Sequence, residues 1–401
     1  MNGSQPVVAR PSALAPLFLV VFIGLMGFGV VLPVFPFWGR ALGAEPALVT
    51  VMLGAYSLGQ FLGAPLWGRL SDRIGRRPAL LLSLAGSALA FLWMAAARDI
   101  WTLGAARLLG GIMAGNIAIA FAYVGDVTDP ASRPRAMGLL GAAFGLGFIF
   151  GPAIGGLVAG TSPTTADFAR VALVAAGVTA AGLLAVWFAV AESLPADRRR
   201  EVAAGPSPSA PALLRARPVV LLLMLVALLV IGAAAMMETT FAMFAGDVLS
   251  WSPREVGLSF GLIGTISAAL QALAAAPLAR RFGSHRVARL GILAYAAGLL
   301  ALGLADTAAT TLGALAVTSA GVGLFTPAFQ TLVADMTTDS DRGLVNGLTQ
   351  GASAMGRILG PAVSGSIYQG FGPASPFLAG AGLMLVALAV ALRAGLKPRP
   401  T

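Results

Sequence analysis

Long apolar runs recur along the whole chain and leave little room for charge. Residues 219–235 and 378–392 form two such runs. Only 10% of the 401 residues are charged, against roughly a quarter in soluble globular proteins. A run of about 20 apolar residues spans the roughly 30 Å hydrocarbon core of a bilayer, and in lipid its backbone groups must bond within a helix. The predicted fold class is therefore all-α and integral to a membrane.

The apolar pattern predicts twelve transmembrane helices. They lie near residues 13–38, 47–70, 79–98, 101–126, 135–160, 166–191, 216–247, 254–281, 286–305, 308–336, 342–371 and 374–395. An even number of spans places both chain termini on the same side of the membrane. The first 15 residues are polar and lack a cleavage pattern, so we expect no signal peptide.

The basic residues distinguish the two sides of the membrane. Of the 26 Lys and Arg residues, 20 fall at the termini and in the loops after even-numbered helices. Four fall on the opposite side: Arg40, Arg98, Arg170 and Arg254. Because cytoplasmic loops carry the excess of positive charge, both termini are expected in the cytoplasm. The net charge of +10 is thereby explained by topology, and nucleic-acid binding is not expected.

The chain divides near its middle into two related parts. Residues 192–217 have linker composition, with a Pro/Ser-rich stretch at 206–211. This predicts an N-terminal six-helix bundle at 1–191, a cytoplasmic linker at 192–217 and a C-terminal six-helix bundle at 218–401. A constant shift of 209 residues pairs Asp126 with Asp335 and Pro152 with Pro361. Parallel six-helix repeats are typical of transporters whose substrate site lies between the halves, near the bilayer midplane.

The sequence offers little material for catalysis. It contains no cysteine, and its single histidine, His285, lies among arginines. We find no metal-ligand cluster, nucleophilic triad or phosphate-binding loop, so neither an enzyme nor a bound metal or cofactor is expected. A membrane enzyme or receptor that transports nothing is the alternative in another class, and the duplicated halves argue against it.

Residues 68–78, between the second and third predicted helices, read GRLSDRIGRRP. This stretch resembles the signature loop of the major facilitator superfamily, G-x-x-x-D-R-x-G-R-R. The resemblance implies a twelve-helix fold of two pseudo-twofold-related bundles, with a cytoplasmic latch between them. Its members here would be Gly68, Asp72, Arg73, Gly75, Arg76, Arg77, Asp126 and Arg342. The alternative is that these arginines only set the topology.

Two further motifs resemble the drug–proton antiporter branch of that superfamily, which includes tetracycline and multidrug exporters. Gly147, Gly151, Pro152, Gly155 and Gly156 fill the pattern G-x-x-x-G-P-x-x-G-G of the fifth helix. In the first helix, a glycine is followed after five residues by the Pro-Val-Phe-Pro stretch 33–36. For the fifth helix, ordinary packing through small residues is the alternative.

Three charged residues fall well inside apolar spans: Arg107, Glu238 and Arg357. Buried charge is costly, so each is a functional candidate. Arg107 begins an R-x-x-x-G-x-x-x-G pattern that resembles the family motif in which the arginine is linked to proton coupling, although it could instead snorkel to water. Glu238 is a candidate proton carrier, a contact for a cationic substrate or a structural ion-pair partner. Arg357 would suit an anionic substrate or neutralise Glu238.

Polar and soft side chains are expected to line the substrate cavity. They are Tyr56, Gln60, Asn116, Tyr123, Met236, Met237, Gln271, Gln330, Asn346 and Gln350. Methionine and aromatic residues provide an adaptable wall that suits promiscuous binding. For each of them, interhelical hydrogen bonding or packing is the alternative role.

The function predicted from these patterns is proton-coupled antiport that exports small hydrophobic or cationic drugs by alternating access. The chain would work as a monomer in the bilayer of a bacterial inner membrane and confer antibiotic resistance. The alternative is proton-coupled transport of a specific metabolite or of an anionic, lipid-like solute. The motifs of the first and fifth helices favour export of drugs.

Overall fold

The computed structural model describes residues 14–129, 132–194, 213–215, 217–337 and 341–393. Regular structure in these ranges is helical throughout, which confirms the predicted all-α class. Most of the predicted linker at 192–217 lies outside the described residues. We refer to the described residues up to 194 as the N-terminal half and to those from 213 onward as the C-terminal half.

Fifteen α-helices and one π-helical turn account for the described regular structure, apart from a short helical stretch at 213–215. The N-terminal half contains α1 (Leu14–Val31), α2 (Phe35–Ala41), α3 (Pro46–Ile74), α4 (Arg76–Ala95), α5 (Ile100–Met113), α6 (Asn116–Val127), α7 (Arg133–Ala159) and α8 (Thr165–Ala189). The C-terminal half contains α9 (Pro218–Leu249), α10 (Pro253–Leu270), the π-helical turn Gln271–Ala275, α11 (Ala276–Phe282), α12 (Ser284–Gly303), α13 (Ala308–Asp335), α14 (Arg342–Phe371) and α15 (Ser375–Arg393).

All twelve predicted spans are helical. The prediction of one continuous helix is wrong for the first and the fourth, which are each divided in two. The first consists of α1 and α2, separated at residues 32–34, where Pro33 has no backbone N–H to continue the helix. The fourth is broken between α5 and α6 at Ala114 and Gly115. Eleven spans in the described part of the chain are long and apolar enough to cross a membrane. The twelfth, α14, is long enough but richer in polar residues.

The two halves meet closely at one end of the molecule and separate at the other. Where α7 ends and α10 begins, a Cβ atom on Gly156 would lie 2.9 Å from the Cα of Gly257. Where α14 ends and α3 begins, a Cβ atom on Gly365 would lie 2.1 Å from Thr50 Oγ1. We call this the closed end. At the other ends of α7 and α14, glycines such as Gly138 have no neighbour within 4 Å of a Cβ position, and we call this the open end.

Backbone contact also fixes α3 against α5 inside the N-terminal half. A Cβ atom on Gly59 would lie 2.2 Å from the Leu108 carbonyl oxygen, and one on Gly63 would lie 2.4 Å from the Ile112 carbonyl oxygen. Neither backbone can retreat without moving its helix. Glycine at these positions is therefore required by close approach.

Replacing Gly59 by alanine is expected to destabilise the protein by about 1–3 kcal/mol, the usual cost of overpacking. Gly177→Ala is the matched control, because nothing lies within 4 Å of its Cβ position on α8. Thermal unfolding of the purified proteins in detergent measures the difference. An equal melting temperature for the two variants would contradict the packing argument.

Candidate functional site

The three intramembrane charges meet in one pocket between the halves. Arg107 reaches it from α5, Glu238 from α9 and Arg357 from α14. Phe28 and Thr239 also line it. The pocket lies between α1 and α3 of one half and α9 and α14 of the other. Arg107 and Arg357, which are 250 positions apart in sequence, therefore share one site.

Glu238 and Arg357 face each other without a direct ion pair. Both are half-buried, and neither has an oppositely charged partner within 4 Å among the described residues. The Arg357 charge nevertheless acts on Glu238 across the pocket. Tyr295 on α12 is 2% exposed and lies in the vicinity of both side chains. Sequence reasoning missed Tyr295, although it is one of only four tyrosines.

Arg107 is buried in an aromatic cage, and its side chain is 1% exposed. Its guanidinium carbon lies 4.7 Å from the ring centroid of Tyr56, 5.3 Å from that of Phe28 and 5.8 Å from that of Phe35. Within the described structure, none of its three guanidinium nitrogens has a hydrogen-bond partner. Arg107 therefore does not snorkel to water in this structure. Aromatic faces offset part of the cost of burying its charge.

A second pocket lies inside the N-terminal half, on the other side of Arg107. Tyr56 and Asn116, two of the predicted substrate residues, line it with Arg107 and Thr179. Asn116 is 3% exposed, and its Nδ2 atom has no hydrogen-bond partner in the described part of the chain. Two unpaired polar groups therefore face one buried space.

The other predicted cavity residues are not brought to these pockets. The Tyr123 hydroxyl donates to the Ala191 carbonyl oxygen at 2.9 Å, which joins the ends of two helices. Met237 is buried in the apolar core, and Gln60 is half-buried where α3 contacts the α5 backbone. Four further predicted residues are exposed: Gln271, Gln330, Asn346 and Gln350.

The predicted latch residues form a charge cluster inside the N-terminal half. Arg76 is 4% exposed, and its Nη1 donates to Asp72 Oδ1 at 2.5 Å and to Ser71 Oγ at 2.7 Å. Its Nε donates to Asp126 Oδ2 at 2.9 Å. The cluster therefore joins α3, α4 and α6. In this structure Asp72 pairs within its own half, and the side chain of Arg342 lies outside the described residues.

The turn between α3 and α4 supports this cluster. Gly75 has φ +103°, a conformation that favours glycine. Glu192 accepts the backbone N–H groups of Arg76 and Arg77 at 2.8 and 3.2 Å. Gly68 and Arg73 complete the sequence motif on α3, where Arg73 is exposed. The first turn of α4 is thereby held against the segment that follows α8.

The glycine motif of α7 contacts two different partners. A Cβ atom on Gly147 would lie 2.7 Å from Leu25 Cβ, one on Gly151 2.8 Å from the Met26 carbonyl oxygen and one on Gly155 1.9 Å from the Val30 carbonyl oxygen, all on α1. Pro152 also packs on α1, beside Gly29. Gly156 faces the other half, at α10. The motif thus places α7 between α1 and the C-terminal half.

A polar network that sequence reasoning missed closes the molecule at its closed end. Arg40 donates from Nη1 and Nη2 to the two carboxylate oxygens of Asp247 at 2.5 and 2.8 Å. The Tyr368 hydroxyl donates to Asp247 Oδ2 at 2.5 Å, and Gln369 donates to Glu45 at 2.7 Å. One sequence feature could have indicated it: Arg40 is one of only four basic residues on the predicted non-cytoplasmic side.

Comparisons with known proteins agree with this architecture. The model of the Major Facilitator Superfamily matches residues 17–284 and 239–401. The tetracycline resistance protein of class C from Escherichia coli is 32% identical over 397 residues, covering 97% of this chain and 98% of the relative. The crystal structure of the human organic anion transporter MFSD10 is 25% identical with a TM-score of 0.70, covering 97% of this chain and 100% of that one. A bacterial homologue of the human lysosomal transporter Spinster, inward-facing and occupied, has a TM-score of 0.79 at 16% identity, covering 98% and 97%.

Proposed function

Because this chain belongs to the major facilitator superfamily, we propose that it exports small hydrophobic or cationic drugs in exchange for protons. The family and the relatives named above are transporters and not enzymes. The chain shares their fold and their multi-pass membrane location. The similarity to a tetracycline resistance protein over almost the whole chain supports drug export in a bacterial inner membrane. The single observation that carries the coupling proposal is the Glu238 carboxylate in the pocket between the halves, which has no ion-pair partner within 4 Å in the part of the chain that the structure describes.

The proposed cycle moves that pocket from one side of the membrane to the other. With both termini in the cytoplasm, the open end faces the cytoplasm and the closed end faces outward. A cationic drug entering from the open end binds near ionised Glu238. After the closed end has opened, a proton neutralises Glu238, and the drug loses its counter-charge and leaves. Return to the open-end state releases the proton inward.

Arg107 and Arg357 complete the coupling proposal as fixed positive charges. Both line the pocket with Glu238. Positive charge beside a carboxylate favours its ionised form, whereas burial favours the neutral form. The balance would change as the two halves move, because Arg107 belongs to one half and Glu238 to the other. We propose that this change of surroundings drives loading and release of the proton.

Glu238→Gln is expected to abolish substrate-driven proton flux, because glutamine cannot take up a proton. The measurement is the pH change inside proteoliposomes after addition of a fluorescent cationic drug or tetracycline. Asp306→Asn is the matched control, since Asp306 is exposed in the loop before α13. Flux in Glu238→Gln equal to that of the wild type would exclude Glu238 as the carrier.

Transport of organic anions is the second candidate, and two observations favour it. The pocket contains two arginines and one acid, so its charge is positive even when Glu238 is ionised. MFSD10, an organic anion transporter, is similar over 97% of this chain. Efflux of a fluorescent cation and of a fluorescent carboxylate of similar size, each with and without an uncoupler, discriminates between the candidates.

A further inference from the structure

We propose that the N-terminal half contains a binding site for one small monovalent anion, an inorganic halide or an organic carboxylate group. The site comprises the Arg107 guanidinium, the Asn116 amide and the first turn of α6. It is the second pocket described above, inside one half rather than between the two. The proposal does not depend on which solute the protein exports.

The break in the fourth span creates the first component of the site. Helix α5 ends at Met113, and α6 begins again at Asn116 and runs for 12 residues. Its N-terminus therefore lies inside the half, where Ala114 and Asn116 both line the pocket. A helix N-terminus carries partial positive charge, and half-helices that begin within a membrane protein commonly point this end at an anionic group.

Side chains from neighbouring helices hold the break open. The Trp67 indole donates from Nε1 to the Ile112 carbonyl oxygen at 2.6 Å, and the Ser83 hydroxyl donates to the Met113 carbonyl oxygen at 2.6 Å. These donors satisfy carbonyl groups at the end of α5. Gly115 is required here, because a Cβ atom would lie 2.2 Å from the Trp67 ring. The interruption is thus built by specific contacts from α3 and α4.

Two buried side chains supply the other components. Arg107 is 1% exposed and Asn116 is 3% exposed. Within the described structure, no hydrogen-bond partner exists for the three guanidinium nitrogens or for Asn116 Nδ2. All four atoms are donors, and none of them can accept a hydrogen bond. The unmet requirement of this pocket is therefore for an acceptor that carries negative charge.

No nearby carboxylate fills that requirement in the residues that the structure describes. The acids of α3 and α6, Asp72 and Asp126, are bound to Arg76 at the open end. Glu238 shares only the central pocket with Arg107, and it reaches that pocket from the other half. Removing a buried charge from water without a partner is expensive, and aromatic faces offset only part of the cost. A bound anion would satisfy the guanidinium and the amide together.

The test uses purified full-length protein in detergent, with bulky sodium HEPES as the initial salt. Bromide, benzoate and the neutral isostere benzamide are titrated separately while thermal unfolding is followed. Bromide also locates the site by its anomalous signal in crystals. For the wild type we expect a rise in melting temperature of roughly 2 °C with bromide or benzoate at about ten times the dissociation constant, and none with benzamide.

Two substitutions of Asn116 make the test specific. Asn116→Leu removes the amide and should weaken anion binding at least tenfold. Asn116→Asp places a carboxylate in the pocket, so this variant should melt above the wild type in HEPES and lose its response to bromide and benzoate. Asn346→Leu is the matched control, because Asn346 is an exposed amide on another helix; it should respond as the wild type does.

The possible results separate the two sources of the anion. A response to bromide, with density between Arg107 and Asn116, supports an inorganic anion. A response to benzoate alone, absent in Asn116→Asp, supports the carboxylate group of an organic solute. The proposal is overturned if neither anion stabilises the wild type, or if Asn116→Asp responds to them as the wild type does.

Discussion

An Arg40→Asp variant is expected to open the closed end and to expose residues that are now buried there. The substitution would place a carboxylate against Asp247, where a bidentate ion pair now joins the two halves. The side chains are 32% and 36% exposed, so the native pair itself contributes little, about 1 kcal/mol or less. Repulsion between like charges adds to that loss. We expect at least a tenfold shift toward the state open at this end, which corresponds to about 1.4 kcal/mol.

The chain contains no cysteine, so the shift can be measured with a single introduced thiol. Thr50 is 0% exposed at the closed end, and Thr50→Cys should react slowly with a membrane-impermeant maleimide. Adding Arg40→Asp should speed that reaction about tenfold, the factor by which the exposed state increases. The swapped pair, Arg40→Asp with Asp247→Arg, restores the attraction and is the control. Equal labelling rates in all three backgrounds would show that this ion pair does not hold the halves together.

Cross-linking α7 to α10 at the closed end is expected to stop transport almost completely. Ala153→Cys with Gly261→Cys is the suitable pair, because a Cβ atom on Gly261 would lie 3.5 Å from the Ala153 Cβ atom, within the range that a disulfide requires, and would clash with no neighbour. A disulfide there prevents separation of the halves at this end, which alternating access requires. Transport in vesicles should fall to roughly a tenth or less after oxidation, since one of the two end states is removed.

Reversal by a reductant and the two single-cysteine variants are the controls for this experiment. Each single variant should transport similarly before and after oxidation, because neither can form the intramolecular bond. Transport that continues at the wild-type rate in the fully cross-linked double variant would mean that this end does not open during the cycle. Alternating access between these two halves would then be the wrong mechanism.

The overall fold could be predicted from sequence because the bilayer imposes a simple requirement. Long apolar runs in lipid must be helices. The turns between them are marked by residues such as Gly75, whose positive φ favours glycine. Interruptions within spans were harder to predict. The fourth span breaks where Trp67 and Ser83, from two other helices, bond the last carbonyl groups of α5. The residues at 112–116 give no indication of these contacts, because the contacting side chains lie far away in sequence.

The candidate site was predictable in its charges and not in its geometry. The cost of intramembrane charge singled out Arg107, Glu238 and Arg357, and the structure brings all three to one pocket. The aromatic cage of Arg107 depends on how α1 and α3 pack, which composition does not specify. The ion pair of Arg40 and Asp247 joins residues 207 positions apart, so it too follows from tertiary structure.

The bare glycines of the open end have a consequence for the conformation that this structure does not display. Gly138 and Gly141 on α7, and Gly347 and Gly351 on α14, touch nothing at their Cβ positions. Each costs the helix about 1 kcal/mol relative to alanine. At the opposite ends of the same two helices, glycines form the surfaces on which the other half packs. We expect the unoccupied glycines to form the corresponding packing surfaces in the conformation that is closed at this end. The molecule would then carry the contact surfaces of both end states in either conformation.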